Sequence, residues 1–214
     1  NAGRTVDLGG RLVLPGLQDS HIHLFMVAAT AVQVQLSGCA TIVELQRRVQ
    51  AHAVAHPNLS WVVGVGWDQT DWSGADTSSD GAGGGRFPTR HDLDSIQELK
   101  GRPCFLWRAC WHVGVANAAA LAAAGISAAT VVAGGEVELG GDAAPTGLLK
   151  ERAADLLQPL LGERDPAVRR RLLRRAARLC ASVGLTAVQS NEIGEGGWSA
   201  AEAWEAYTSL ERGG

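Results

Sequence analysis

The sequence contains few lysines, few aromatic residues and no long hydrophobic run. No segment reaches the roughly 18 apolar residues of a membrane span, so we expect no transmembrane helix and no membrane partner. No basic and then apolar leader precedes Asp7, which argues against a signal peptide, although the chain opens on Asn1 and a leader could have been removed. Only two lysines accompany 17 arginines, which we interpret as a compositional bias.

Cysteine is also scarce, and its spacing excludes several functions. The four cysteines form no C-x-x-C pair, and a chain of 214 residues is large enough to bury a core without disulfides. We therefore expect reduced and mostly buried thiols, and a cytoplasmic location is favoured. The residues are Cys39, Cys104, Cys110 and Cys180.

The overall composition is that of a globular protein. Hydrophobic residues make up 46% and charged residues 19%, which excludes a disordered, collagen-like or coiled-coil chain. A net charge of −3 argues against a general nucleic-acid binder. Six arginines lie between Arg169 and Arg178, opposite an apolar stripe that includes Val168, Leu172 and Leu179. We interpret them as a solvated helix face and not as an anion-binding surface.

Hydrophobic patterning predicts alternating strands and helices. Buried or half-buried strands are expected at 17–24, 61–67, 103–108 and 185–190, and they are separated by helical segments. This order favours a parallel α/β sheet or barrel. Further predictions are two short strands around the turn at residues 9–10, helices at 41–56, 113–124 and 148–161, a hairpin at 136–148, and a flexible Gly-rich loop at 74–85.

A pair of histidines at the end of the first barrel-like strand is the strongest functional motif. Side chains alternate along a strand, so Asp19, His21 and His23 point to the same side. Two imidazoles at one strand end can bind a single divalent ion at about 2.0 to 2.1 Å, with Asp19 in the second shell. An H-x-H motif also occurs in cores and on surfaces, so the spacing alone leaves a structural role open.

The segment Pro15-Gly-Leu-Gln-Asp-Ser-His-Ile-His-Leu24 resembles the first barrel strand of the amidohydrolase superfamily, whose pattern is P-G-x-x-D-x-H-x-H. Later segments are similar to its type-3 branch, which includes N-substituted formamide deformylases. They follow in the family's order over about residues 5 to 190, and they are Gly66-Trp-Asp68, Pro88-Thr-Arg90 with Asp92-Leu-Asp94, Trp111-His112 with Asn117, and Pro145-Thr-Gly-Leu-Leu-Lys-Glu151.

The resemblance implies part of a metal-dependent (β/α)₈ barrel whose divalent ion, zinc by expectation and one or two in number, is bound by His21 and His23. A further ligand, often a carboxylated lysine, is expected at Lys150 or Glu151, although this segment could equally be the first turn of a helix. His112 and Asp68 are the catalytic candidates, with a helix-terminal histidine and a turn-capping aspartate as alternatives. Candidate substrate-binding residues are Trp67, Trp111 and Asn117, and core packing is the alternative for the tryptophans.

The family's remaining ligands are missing, since no histidine follows His112. We therefore expect an interior slice of a longer protein, with residues 1–14 as a remnant of a β-sandwich and 15–214 as the first half of the barrel. The predicted activity, in a full-length form, is hydrolysis of non-peptide carbon–nitrogen bonds in a small amide, N-formyl or N-acyl substrate. The alternative is a degenerate, inactive structural or interaction subunit. A homo-oligomer is compatible with either function.

Overall fold

The structure is a computed structural model that describes residues 3–30, 32–73, 85–161, 165–191 and 199–212. The chain divides into two compact units: unit 1 comprises residues 1–27 and 166–214, and unit 2 comprises residues 28–165. The strands are β1 Leu17–Ile22, β2 Val34–Gln35, β3 Val62–Trp67, β4 Cys104–Arg108, β5 Val113–Ala116, β6 Gly135–Leu139, β7 Pro145–Glu151 and β8 Leu185–Ser190. The helices are α1 Leu24–Thr30, α2 Ile42–Ala55, α3 Arg90–Asp94, α4 Ala118–Ala123, α5 Gln158–Leu161, α6 Pro166–Ser182 and α7 Ala200–Arg212.

Unit 2 is built on a six-stranded mixed sheet in the order β2-β3-β4-β5-β7-β6. The first three strands are parallel, whereas β5 is antiparallel to both β4 and β7. Strand β7 therefore runs in the same direction as β3 and β4, and the carboxyl ends of these three strands lie at one edge of the sheet. We call this the carboxyl edge, defined by residues 67–69, 108–113 and 150–151.

Buried apolar residues cover both faces of this sheet. One cluster joins α2 to the sheet through Leu45, Val49 and Leu106, and a second joins α4 to Phe105 and Leu149. Helix α2 begins where the sequence predicts, because Thr41 accepts a hydrogen bond from the Glu44 backbone at 3.0 Å.

The pairing of β5 with β4 requires a glycine at position 114. A Cβ atom there would lie 2.2 Å from the Phe105 ring, so any other residue would displace a completely buried side chain. This close approach lets β5 pack directly against the core strand β4.

Unit 1 has a two-stranded parallel sheet, β1 with β8, and the helices α6 and α7 pack against each other. Their contact buries small and medium side chains, including Leu173, Ala176 and Ala203. Arg169 is also buried and pairs with Glu202 at 3.3 Å. The expectation that all six arginines are solvated is therefore wrong for Arg169, and the exposed Leu179 is not part of the buried stripe.

The four predicted main strands are confirmed as β1, β3, β4 and β8. The predicted hairpin is confirmed as β6 and β7. The helix predicted at 113–124 is wrong in its first part, which forms β5 before α4 begins. The helix predicted at 148–161 is also wrong at its start, because residues 148–151 complete β7.

A parallel sheet describes only part of the molecule, since β5 and β6 are antiparallel to their neighbours. In residues 3–16 the structure has a turn at 9–10 but no strand, so the predicted remnant of a β-sandwich is not seen there. Most of the predicted Gly-rich loop, residues 74–84, lies outside the described residues. No helix in the described ranges is long and apolar enough to cross a membrane.

Candidate active site

His21 and His23 lie at the carboxyl end of β1, as the H-x-H pattern predicts. Their ring centroids are 5.1 Å apart, with the ring planes at 76°. Two imidazoles that share one tetrahedral ion through Zn–N bonds of about 2.1 Å have centroids roughly 5 Å apart. The donor chemistry and the spacing of this pair therefore fit a divalent ion that is bound in part by two imidazoles.

Two hydrogen bonds hold this end of β1 against β8 and the residue that follows it. The Ser190 hydroxyl accepts a hydrogen bond from the Leu24 backbone at 3.0 Å, and the Asn191 backbone donates to the Ile22 carbonyl at 2.9 Å. The Asp19 carboxylate accepts from the backbone N–H of His21 at 3.0 Å, so it bonds to the strand backbone that carries the ring. Asp19 lies close to the histidine pair in sequence and in space, which is compatible with its predicted supporting role.

The described residues contain no group of three or more His, Cys, Asp or Glu side chains able to hold a metal ion. In a structural zinc site four protein ligands surround the ion, and a catalytic zinc site keeps three and leaves one position for water. Two imidazoles alone would therefore supply fewer protein ligands than either kind of zinc site contains.

In unit 2, the carboxyl edge brings together His112 and Glu151, which are 39 positions apart. The His112 Nδ1 atom lies 3.0 Å from Glu151 Oε2, and the Glu151 backbone N–H donates to the His112 carbonyl at 2.7 Å. The register that pairs Val113 with Lys150 places the two residues opposite each other at the strand ends. A side-chain and a main-chain hydrogen bond thus join the same two residues.

Two residues at this edge adopt a left-handed backbone, which is uncommon outside glycine. Trp111 has φ of +63° and Glu151 has φ of +51°. The first residue ends the turn from β4 into β5, and the second ends β7. Such conformations concentrate at functional sites, where the surrounding structure must hold them in place.

Trp111 is 42% exposed and its ring lies 5.8 Å from that of the buried Trp107. It precedes His112 in the turn between β4 and β5, at the carboxyl edge. This placement is compatible with the predicted contact to substrate.

Asp68 forms an ion pair that sequence reasoning missed. The Arg108 guanidinium donates to both carboxylate oxygens at 2.8 and 3.0 Å, and its Nε donates to Gln69 at 2.8 Å. Partial burial alone would raise the pKa of Asp68, but hydrogen bonds from Thr70 and Arg108 outweigh it and lower that pKa below its usual value. The only sequence signal for Arg108 is its position as a charged residue that ends a buried strand.

These bonds favour the capping alternative for Asp68. Its side chain accepts the Thr70 N–H at 3.0 Å and so caps the 3₁₀ helix Gln69–Asp71. A carboxylate with a lowered pKa and a bound guanidinium is a weak proton acceptor. The predicted role of Asp68 as a catalytic group is therefore not supported by its surroundings.

Cys110 is a second residue of the carboxyl edge without a sequence signal. It is partly buried on the turn between β4 and β5. Burial opposes ionisation, yet the backbone N–H of His112 and the side chain of Arg108 lower the pKa of the Cys110 thiol. Arg108 therefore interacts with Cys110 in the turn after β4 as well as with Asp68 and Gln69 after β3.

Lys150 lies on β7 and pairs with two glutamates of β6. Its Nζ is 2.9 Å from Glu138 and 3.1 Å from Glu136. Although partial burial lowers it, these carboxylates raise the pKa of Lys150 above its ordinary value. A lysine must lose its proton before its amine can take up CO₂, so this environment disfavours the carboxylated ligand predicted for Lys150. The alternative first turn of a helix is wrong, because the segment is a strand.

Two predicted substrate-binding residues have structural roles instead. Trp67 is completely buried and donates from its indole to the Leu106 carbonyl at 2.8 Å, so it is a core residue. Asn117 is buried at the opposite end of β4, where its side chain accepts from the backbones of Cys104 and Ala120, each at 2.9 Å. It caps α4 and lies at the amino end of β4, opposite the carboxyl edge, so it would not contact a substrate bound at that edge.

Comparison with known proteins identifies the family of this chain. The sequence profile of the amidohydrolase family matches residues 4–214. Protein LONG AFTER FAR-RED 3 of Arabidopsis thaliana is 32% identical over 184 residues, which is 86% of this chain and 29% of that protein. The N-substituted formamide deformylase of Arthrobacter pascens is 35% identical over 155 residues, or 71% of this chain and 26% of that enzyme.

A solved structure shares the fold. The crystal structure of an uncharacterized metal-dependent hydrolase from Pyrococcus furiosus superposes with a TM-score of 0.62 at 27% identity. The match covers 93% of this chain and 35% of that protein. The chain thus spans about a third or less of the length of these relatives, and it belongs to the amidohydrolase family, in its type-3 branch.

Proposed function

We propose that this member of the amidohydrolase family supplies part of the active site of a metal-dependent hydrolase that cleaves non-peptide carbon–nitrogen bonds. The observation that carries the proposal is the pair of imidazoles at the end of β1, with centroids 5.1 Å apart. The family match over residues 4–214 and the metal-dependent hydrolase of Pyrococcus furiosus support it.

His21 and His23 are the metal-binding residues in this proposal, and Asp19 bonds to the backbone of His21. A bound divalent ion, zinc by preference of the imidazole donors, lowers the pKa of water towards about 7 and polarises a carbonyl. Lys150 forms ion pairs with glutamates of β6, and the Glu151 carboxylate is hydrogen-bonded to His112. We therefore leave both Lys150 and Glu151 out of the proposed ligand set.

His112 and Trp111 are the proposed substrate contacts. The imidazole of His112 is 67% exposed at the carboxyl edge, with Nδ1 occupied by Glu151 and Nε2 facing away from that bond. With the ring proton on Nδ1, Nε2 of the neutral imidazole can accept a hydrogen bond or a proton from the substrate. The charged ring that results can donate to the negative charge that develops on a carbonyl oxygen during hydrolysis. The exposed indole of Trp111 offers a flat apolar surface beside it.

The proposed substrate class is a small amide, with an N-formyl or N-acyl group. The Arthrobacter pascens relative is named for N-substituted formamides, and it is 35% identical over 71% of this chain.

A second candidate function comes from the lack of any histidine after His112 in this sequence. In this alternative the chain is a catalytically inactive structural or interaction subunit. Under either proposal we expect the 214-residue chain alone to show little or no amide hydrolysis. Steady turnover of an N-formyl arylamine by the purified chain would contradict that expectation.

Zinc titration of the 214-residue chain tests the metal assignment. We expect weak binding that saturates at about one equivalent of Zn²⁺ per chain, because two imidazoles supply only part of a ligand set, and we expect its loss when His21→Ala and His23→Ala are combined. A full-length form should bind about one or two ions and lose them in the same double variant. The matched control combines His52→Ala with His56→Ala, a second pair of neighbouring imidazoles with centroids 4.4 Å apart, and should retain the ion. Unchanged zinc content in the first double variant would reject the assignment.

A further inference from the structure

We propose that Glu151 is a positioning residue that fixes the tautomer of His112, with the ring proton on Nδ1. The inference rests on the proposed function in one respect, which is that a fixed tautomer would present Nε2 of His112 to a substrate. The role itself follows from the hydrogen-bond chemistry of the two side chains.

The first step is the identity of the donor. The Nδ1 atom of His112 and Oε2 of Glu151 are 3.0 Å apart, which is hydrogen-bonding distance. An ionised carboxylate only accepts hydrogen bonds, so the proton in this bond belongs to the imidazole. In neutral His112 the other ring nitrogen, Nε2, is then an unprotonated acceptor, and in the charged form it becomes a donor.

The second step is that the backbone brings the pair together before the side chains meet. The Glu151 N–H donates to the His112 carbonyl at 2.7 Å, and Val113 is paired with Lys150 in the adjacent register. The left-handed backbone of Glu151 ends the strand at the position where the carboxylate faces His112. Because the backbone is already paired, only side-chain rotamer freedom is lost when the side-chain bond forms.

The third step concerns the competing charges. Lys150, the neighbouring cation, is held by Glu136 and Glu138 of β6. Arg108, the cation at the end of β4, is held by Asp68 and Gln69. Lys150 and Arg108 therefore have other partners, and the Glu151 carboxylate accepts from His112.

The test reads the tautomer directly. Long-range ¹H–¹⁵N spectra of the histidine rings are recorded on the metal-free 214-residue chain at about pH 8.5, two units above the histidine reference value of roughly 6.5. His112 is assigned from the signals that vanish in His112→Gln. We expect the Nδ1–H form to predominate in the wild type. A wild-type His112 that is mainly in the Nε2–H form would overturn the proposal without any variant.

Two variants and a control sharpen this result. Glu151→Ala removes the acceptor, and we expect the tautomer ratio to move roughly fivefold towards Nε2–H, as the loss of one exposed hydrogen bond implies. Glu151→Gln keeps an acceptor oxygen and should retain most of the Nδ1–H form. Glu98→Ala, the loss of a carboxylate that accepts from Gln50 and is not paired with Lys150 or His112, should leave the ratio unchanged.

An equal ratio in Glu151→Ala and the wild type, with far-UV circular dichroism unchanged, would reject the role of Glu151. Because the spectra are recorded without metal, this outcome is independent of whether His21 and His23 bind zinc. A failed zinc titration would leave the tautomer result standing, and a failed tautomer test would leave the zinc assignment standing.

Discussion

The two units of the chain hold their functional side chains by different means. In unit 2, the His112–Glu151 pair stands at the edge of a six-stranded sheet with completely buried residues on both faces. In unit 1, the His21–His23 pair stands at the end of a two-stranded sheet, and large apolar side chains such as Leu17, Val183 and Trp204 are exposed.

This difference separates two kinds of positioning. The carboxyl edge of unit 2 is fixed by a core that the unit itself provides, so its geometry follows from strand register. The histidines of unit 1 are fixed mainly by local hydrogen bonds from Asp19, Ser190 and Asn191. We therefore expect substitutions in the described core to affect unit 2 far more strongly than equivalent changes in unit 1.

The largest expected effect comes from replacing the buried Trp67 of unit 2, and the exposed Trp204 of unit 1 serves as the comparison. Trp67→Ala should lower the free energy of unfolding of unit 2 by about 3–5 kcal/mol, because it empties a completely buried site and removes the bond to Leu106. Trp204→Ala, at a position 73% exposed, should change stability by less than about 0.5 kcal/mol. Denaturant unfolding followed by circular dichroism measures both, and equal losses would contradict the contrast between the units.

A smaller loss is expected from Asn117→Ala. It removes the cap of α4 and leaves the buried Cys104 N–H without its acceptor, which should cost about 2 kcal/mol of unfolding free energy. Thr41→Ala, which removes the cap of α2 only, should cost about 1 kcal/mol. If Asn117 had the substrate-binding role predicted from the sequence and no other, Asn117→Ala would unfold at the wild-type denaturant concentration.

The smallest expected effect is at the ion pair of the carboxyl edge. Asp68→Asn should lower stability at pH 7 by about 1 kcal/mol, since Asp68 and Arg108 are largely but not fully buried. The folded-state pKa of Asp68 is lowered, so its contribution is present above the ordinary aspartate pKa of about 3.9 and is lost as pH falls below it. The two proteins should therefore unfold alike near pH 2, and a difference that grows on acidification would refute this sign.

The sequence predicts those elements whose signal lies within the element itself. The runs at 61–67 and 103–108 are rich in β-forming residues and are confirmed as β3 and β4. The H-x-H pattern likewise predicts that His21 and His23 lie together at a strand end, because alternation along a strand is local.

The failures arise where distant partners decide the outcome. Residues 113–116 continue into an Ala-rich run and resemble a helix, but pairing with β4 and β7 makes them a strand. Arg169 lies among exposed arginines, yet Glu202 pairs with it across 33 positions and it is buried. The His112–Glu151 pair and the Arg108–Asp68 pair depend in the same way on strand register, which no local pattern specifies.

The central claim is that His21 and His23 bind a divalent ion, and ring spectra of the six histidines test it most directly. Zinc is added stepwise to the ¹⁵N-labelled 214-residue chain, and the imidazole signals are followed at each step. We predict that the signals of His21 and His23 shift together and saturate at about one equivalent, whereas those of His91 and His112 stay in place. Unchanged His21 and His23 signals, with zinc shifting other histidines instead, would contradict the account.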